Sequence, residues 1–82
     1  MLKVTYEKIE DIYVPAARRQ ERDQGKVDAV IEDMLNEIEQ KPIRVRRGKG
    51  RLVLIAGIHR LEASKALGEK EISAYITQAP KF

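Results

Sequence analysis

Gly57-Ile58-His59-Arg60 stands between an apolar run, Leu52-Val53-Leu54-Ile55-Ala56, and the helix-like stretch Leu61-Glu62-Ala63-Ser64-Lys65-Ala66-Leu67-Gly68. A strand ends, a glycine permits a tight turn, and two side chains that favour anions sit where a helix begins. The first turn of a helix offers unpaired backbone N–H groups and the positive end of its dipole, a ready site for phosphate. Arg60 can grip a phosphate through two parallel hydrogen bonds. His59, the only histidine, can donate a hydrogen bond or carry a proton near neutral pH. Taken alone, four residues describe equally well a sharp turn with two solvated polar side chains.

Two further basic groups could serve an anion. Arg18, Arg19 and Lys26 lie ahead of a long amphipathic stretch, and Lys26 falls close to its start. A cation there opposes the helix dipole, and a bound anion would relieve it. Arg44, Arg46, Arg47, Lys49 and Arg51 place five bases within eight residues. That cluster suits a phosphodiester backbone. The favoured reading is an exposed hairpin whose charges discourage sheet-to-sheet association, because no aromatic residue sits nearby in sequence to stack bases. Among the acids, Asp28 and Glu62 could help hold Mg²⁺ beside a phosphate, although each also reads as an ordinary helix-surface carboxylate.

Composition narrows the chemistry. The 82 residues suffice for one domain spanning 1–82. Hydrophobic content of 43% with 5% aromatics predicts an aliphatic core. There is no cysteine, which removes disulfides, thiolate metal sites and cysteine nucleophiles. With one histidine, no metal site is assigned. No apolar stretch reaches the length of a membrane span and no signal-peptide pattern follows Met1, so the expected location is the cytoplasm. A net charge of +3 permits nucleotide or nucleic-acid partners without demanding them.

The elements that must hold these groups follow from periodicity. Lys3 to Ile9, with Val4 and Tyr6 alternating with polar residues, predicts a strand with one buried face. Ile12-Tyr13-Val14 is a second short extended piece before Pro15. Ala16 to Lys26 has no hydrophobic period and reads as a loop. Val27, Val30, Ile31, Met34, Leu35 and Ile38 carry helical spacing, with Asp23 as N-cap, and are expected to face the core. Ile43 to Arg46 alternates as a half-buried strand, Gly48-Lys49-Gly50 turns, and Arg51 to Ala56 returns as a buried strand. A helix from His59 to Leu67 ends at Gly68. Ile72 to Thr77 is the last strand, with Ile72, Ala74 and Ile76 on one face, and Pro80-Lys81-Phe82 reads as a frayed end. The fold class is α+β, a small mixed sheet with two main helices packed on it.

The stretch from Lys26 to Ile76 resembles the ParB/sulfiredoxin superfamily. The specific part is Ile55 to Gly68, similar to the Gly-x-Arg/His-Arg box of ParB partition proteins, the Gly-Cys-His-Arg box of sulfiredoxins and the Gly-x-His-Arg box of free-serine kinases. The resemblance implies that His59 and Arg60 touch nucleotide phosphates and that Gly57 makes the turn. It also implies a phosphate contact from Lys26 and another from Arg18 or Arg19. It suggests ATP, ADP or CTP with Mg²⁺ as ligand.

Ile58 departs from these patterns. Sulfiredoxins carry a cysteine there and ParB proteins usually a glutamate. The thiol chemistry is therefore excluded and little or no nucleotide hydrolysis is expected. The helix-turn-helix and dimerisation domains of ParB proteins do not follow in this sequence. The leading expectation is a nucleotide-binding domain with the phosphates on the Gly57–Leu61 turn. A DNA-associated partition or plasmid regulatory module using the basic hairpin is the alternative. A small kinase or phosphohydrolase comes third, with Glu7, Glu10 and Asp11 as undecided candidates for its base. A homodimer stays open.

Overall fold

Strand β3 (Ile43–Arg47) buries Ile43 and Val45 and leaves Arg44 and Arg46 in solvent, as its alternation predicts. In the computed structural model, which describes residues 3–77, this strand lies at the centre of a five-stranded sheet. The others are β1 (Val4–Lys8), β2 (Ile12–Tyr13), β4 (Leu52–Ala56) and β5 (Glu71–Thr77). Their order is β1-β5-β3-β4-β2. β1 with β5 and β3 with β4 run antiparallel, while β3 with β5 and β2 with β4 run parallel. The sheet is thus mixed, as expected. Three helices accompany it: α1 (Ala16–Gln20), α2 (Gln24–Leu35) and α3 (Ile58–Ala66). Ile9, Ile12, Ile43, Val45, Leu52, Leu54, Ile58, Leu61, Ile72 and Ala74 form one core, with Val14 and Ile76 against it. Among the described residues no helix is long and apolar enough to cross a membrane. The expectation for residues 80–82 lies outside the described part.

The polar segment 16–26 is not a loop throughout. Pro15 presets the N-cap backbone, and Ala16, Ala17, Arg18, Arg19 and Gln20 are good helix formers, so a short helix forms without burying any residue. A helix with no buried face has no hydrophobic period to read.

The face of β1 also differs. Val4 and Tyr6 point outward, with Tyr6 73% exposed, while Thr5 and Glu7 are half-buried. β1 is an edge strand, and its inner side is set by register with β5, where Thr5 pairs with the buried Ala74.

The apolar stripe of α2 is covered only at its start. Val27 is buried, Val30, Ile31 and Met34 are half-buried, and Leu35 and Ile38 are 67% and 53% exposed. The helix stops at Leu35 because the chain turns out of it. Ile38 N–H bonds Asp33 O at 2.9 Å and Glu37 N–H bonds Met34 O at 3.1 Å, the paired bonds of a Schellman motif. Glu37 holds the left-handed position of that motif at φ 61°. A Cβ there is strained by roughly 1–2 kcal/mol. Glu37→Gly is therefore expected to raise stability by about 0.5–1 kcal/mol, the relieved strain less the added freedom of the unfolded chain, measured by urea denaturation.

Candidate functional site

The turn between β4 and α3 is made by Gly57, the N-cap of α3, at φ 104°. A Cβ on Gly57 would lie 2.6 Å from Ile43 Cγ2 and 3.2 Å from Ile43 Cα. Both the backbone conformation and the close approach to β3 therefore call for glycine. The first intrahelical bond runs from Leu61 N–H to Gly57 O at 3.0 Å. The N–H groups of Ile58, His59 and Arg60 precede it and emerge at the positive end of the helix.

A cleft of about 380 Å³ opens on this turn, lined by Arg18, Glu21, Lys26, Ala56, Gly57, Ile58, His59 and Arg60. Five of the six residues singled out in the sequence thus meet in one place. Arg19 is exposed on α1 and does not line the cleft. Lys26 occupies the first turn of α2, whose N-cap Asp23 accepts the Lys26 N–H at 3.2 Å. Two helix N-termini, those of α2 and α3, contribute to one side of the molecule.

Three of the basic side chains, those of Arg18, His59 and Arg60, are already engaged. Arg18 donates from its guanidinium to Ile55 O at 3.2 Å and pairs with Glu21 at 3.3 Å. His59 Nε2 lies 3.2 Å from both the Asp23 N–H and Glu21 O. Unprotonated, that nitrogen accepts from Asp23; protonated, it donates to Glu21 O. Either way His59 ties the α1–α2 turn to the start of α3.

Arg60 lines the cleft, but its guanidinium is bonded on the far side. Its guanidinium donates to Lys41 O at 3.0 Å and to Ser73 Oγ at 2.6 Å, and its Nε is buried with no partner among the described residues. Burial lowers its pKa from the ordinary arginine value, against which the negative charge of Glu69 and the Tyr6 hydroxyl act. It remains charged at any pH compatible with folding. Arg60 therefore sits between the Gly57 cleft and a smaller hollow of about 290 Å³ that includes Tyr6, Met34, Ile38 and Ser73.

The acids suggested by the sequence lie elsewhere. Asp28 accepts from Gln24 Nε2 at 2.8 Å on the surface of α2. Neither it nor Glu62 lines the cleft. Glu7 and Asp11 face a separate pocket with Arg47 and Arg51, and Glu10 lines others. No group of three or more His, Asp or Glu side chains that could hold a metal occurs among the described residues. Ile58 is 4% exposed and packs in the core, so its side chain belongs to the fold. Glu21 and Ser73 are the site residues that the sequence reading missed; both act through contacts that depend on the assembled fold.

The family described as the ParB N-terminal domain matches residues 2–81. The chain belongs to that family. Its fold is similar to that of a sulfiredoxin from Arabidopsis thaliana, at 28% identity and TM-score 0.81, covering 94% of this chain and 86% of that one. It is also similar to the chromosome-partitioning protein ParB from Caulobacter crescentus complexed with CTP-gamma-S, at 18% identity and TM-score 0.79. That match covers 96% of this chain and 46% of ParB. A free serine kinase variant in complex with ADP shares the fold at 19% identity and TM-score 0.78, covering 90% of this chain and 30% of the kinase. This ParB N-terminal domain thus spans less than half of those two larger proteins. No curated protein matches it by sequence.

Replacing Gly57 by alanine should destabilise the domain by about 2–4 kcal/mol, from left-handed strain together with overpacking against Ile43. Urea or thermal unfolding of the variant measures this.

Proposed function

We propose that this ParB N-terminal domain binds a nucleotide, with the phosphates in the Gly57 cleft. The observation that carries the reading is the convergence of the α3 N-terminus, Lys26, His59 and Arg18 on one opening. Those donors suit a di- or triphosphate: fixed backbone N–H groups, an ammonium, an imidazole and a guanidinium. Relatives of the same fold bind CTP-gamma-S and ADP, which supports a nucleotide over a simple anion. The same donors leave ATP, ADP and CTP as candidate ligands. Mg²⁺ would arrive on the phosphates, since the cleft supplies only the Glu21 carboxylate.

Binding on this reading exchanges partners. A phosphate entering beside Arg18 competes with Glu21, an exposed pair that itself contributes at most about 1 kcal/mol. On this reading Arg60 reaches the phosphates by leaving Ser73 and Lys41. Glu21 and His59, the two groups in the cleft that could act as a base, are held by Arg18 and by the α1–α2 turn, so the expected activity is binding with little or no hydrolysis.

Thermal unfolding with ATP, ADP, CTP and GTP, each with Mg²⁺, tests the proposal. A ligand at about a hundred times its Kd stabilises by roughly 2.7 kcal/mol, several degrees for a domain of this size. Lys26→Ala and Arg60→Ala should each weaken the responding nucleotide by about 1.5–3 kcal/mol. No shift with any nucleotide would sink the reading. Glu21→Gln, which removes the competing carboxylate, should tighten binding severalfold in calorimetric titration; weaker binding would show that Glu21 assists the ligand.

A further inference from the structure

The sheet has a second face, which the groups of the nucleotide cleft reach only where Arg60 meets Ser73. Register defines it. Val4 of β1 pairs with Tyr75 of β5, and Tyr6 with Ser73. Tyr75 pairs with Arg44 of β3, and Thr77 with Arg46. Arg46 pairs with Val53 of β4, and Val53 with Tyr13 of β2. Neighbours in register share a side of the sheet. The opposite side is the core, holding Ile43, Val45, Ala74 and Ile76. Arg51, from the hairpin, lies over the Tyr13 ring, its guanidinium carbon 3.8 Å from the ring centre.

This face carries Tyr6, Tyr13 and Tyr75 together with Arg44 and Arg46, while Val53 and Ser73 on it are buried. Arg44, Arg46 and Arg51 are all exposed, Tyr6 and Tyr13 are exposed, and Tyr75 is half-buried. None of the register positions just named carries a carboxylate. Sequence distance hid the arrangement, because Tyr13 and Tyr75 lie far along the chain from the basic hairpin they join. Arg47 does not take part, being one residue out of phase with Arg46; Arg51 stands at the margin of the face and shares pockets with Glu7, Glu10 and Asp11.

We propose that this face binds single-stranded nucleic acid. Arg44 and Arg46 hold phosphates, while unpaired bases stack on Tyr75 and on the Arg51–Tyr13 pair. The two guanidiniums of Arg44 and Arg46, with no carboxylate in register beside them, match a polyanion, and the rings of Tyr75 and Tyr13 match exposed bases. A duplex would satisfy the charges but leave the rings without partners. From β5 to β2 the face spans three strand spacings, about 14 Å, enough to lay more than one base across it.

Fluorescence anisotropy tests this, using labelled 15-residue oligothymidylate and oligouridylate and a 15-base-pair duplex at 50 and 200 mM KCl. A single strand should bind about tenfold or more tightly than the duplex, with preference for the first or the second oligomer naming DNA or RNA. With two phosphate contacts, log K against log salt should have a slope of about −1.4. Arg44→Ser with Arg46→Ser should cut affinity about tenfold or more and bring the slope close to zero. Tyr75→Leu should weaken binding and leave the slope unchanged. Thermal melts of each variant separate lost binding from lost folding, and both arginines are exposed enough for the fold to tolerate serine. Duplex binding as tight as single-strand binding, an unchanged slope in the double variant, or no binding at 50 mM would overturn the proposal. So would sedimentation showing a dimer that the double variant dissolves, since the face would then belong to a second copy.

Discussion

The contact between Gly57 and Ile43 governs more of this molecule than any other. The β4–α3 turn presses so closely on the first residue of β3 that no side chain fits between them. Ile43 in turn is almost fully buried and packs in the core cluster with Leu61 of α3. The direction in which α3 leaves the sheet, the aim of its first N–H groups and the seat of the central strand are thus set together. A ligand at the turn would be held by backbone whose position is fixed by the core, which lowers the ordering cost of binding.

The charges near the turn follow a different logic. Arg18 and Arg60 both spend guanidinium donors on carbonyl oxygens of the protein, Ile55 O and Lys41 O, and His59 spends its Nε2 on the α1–α2 turn. These bonds stitch helices to strands. They also keep the basic groups near the cleft without burying an unpaired charge, which would be costly. The site is therefore not separable from the scaffold: the groups with the chemistry to meet an anion are also those that brace the elements around it.

Much of this was legible in the sequence for physical reasons. The alternation at Ile43–Arg46, the aliphatic run at Leu52–Ile55, Asp23 as a cap and Gly68 at a left-handed helix end are local signals, and each determines its own neighbourhood. The failures came where a tertiary choice overrode a local pattern. Val4 and Tyr6 alternate as a buried face would, but an edge strand takes its orientation from its partner β5. Leu35 and Ile38 continue a helical stripe that the Schellman turn abandons. Helix α1 buries nothing and left no period. The diversion of Arg60 to Ser73 could not be read, because the rest of α3 and the turn into β5 separate them and only the folded sheet brings the hydroxyl under the guanidinium.

The pairing of β1 with β5 has a consequence for how the chain must be made. The strand that stands between β1 and β3 is the last in sequence, so neither the first strand nor the central one gains its full complement of hydrogen bonds until that last strand exists. During synthesis the earlier segments leave the ribosome with β1 unpaired and β3 bonded on one side only. Ile43 and Val45 lack the cover of Ala74 and Ile76 over that interval. Completion is a late, long-range event with high contact order, and the nascent chain spends the wait with an open sheet edge on which another chain could pair.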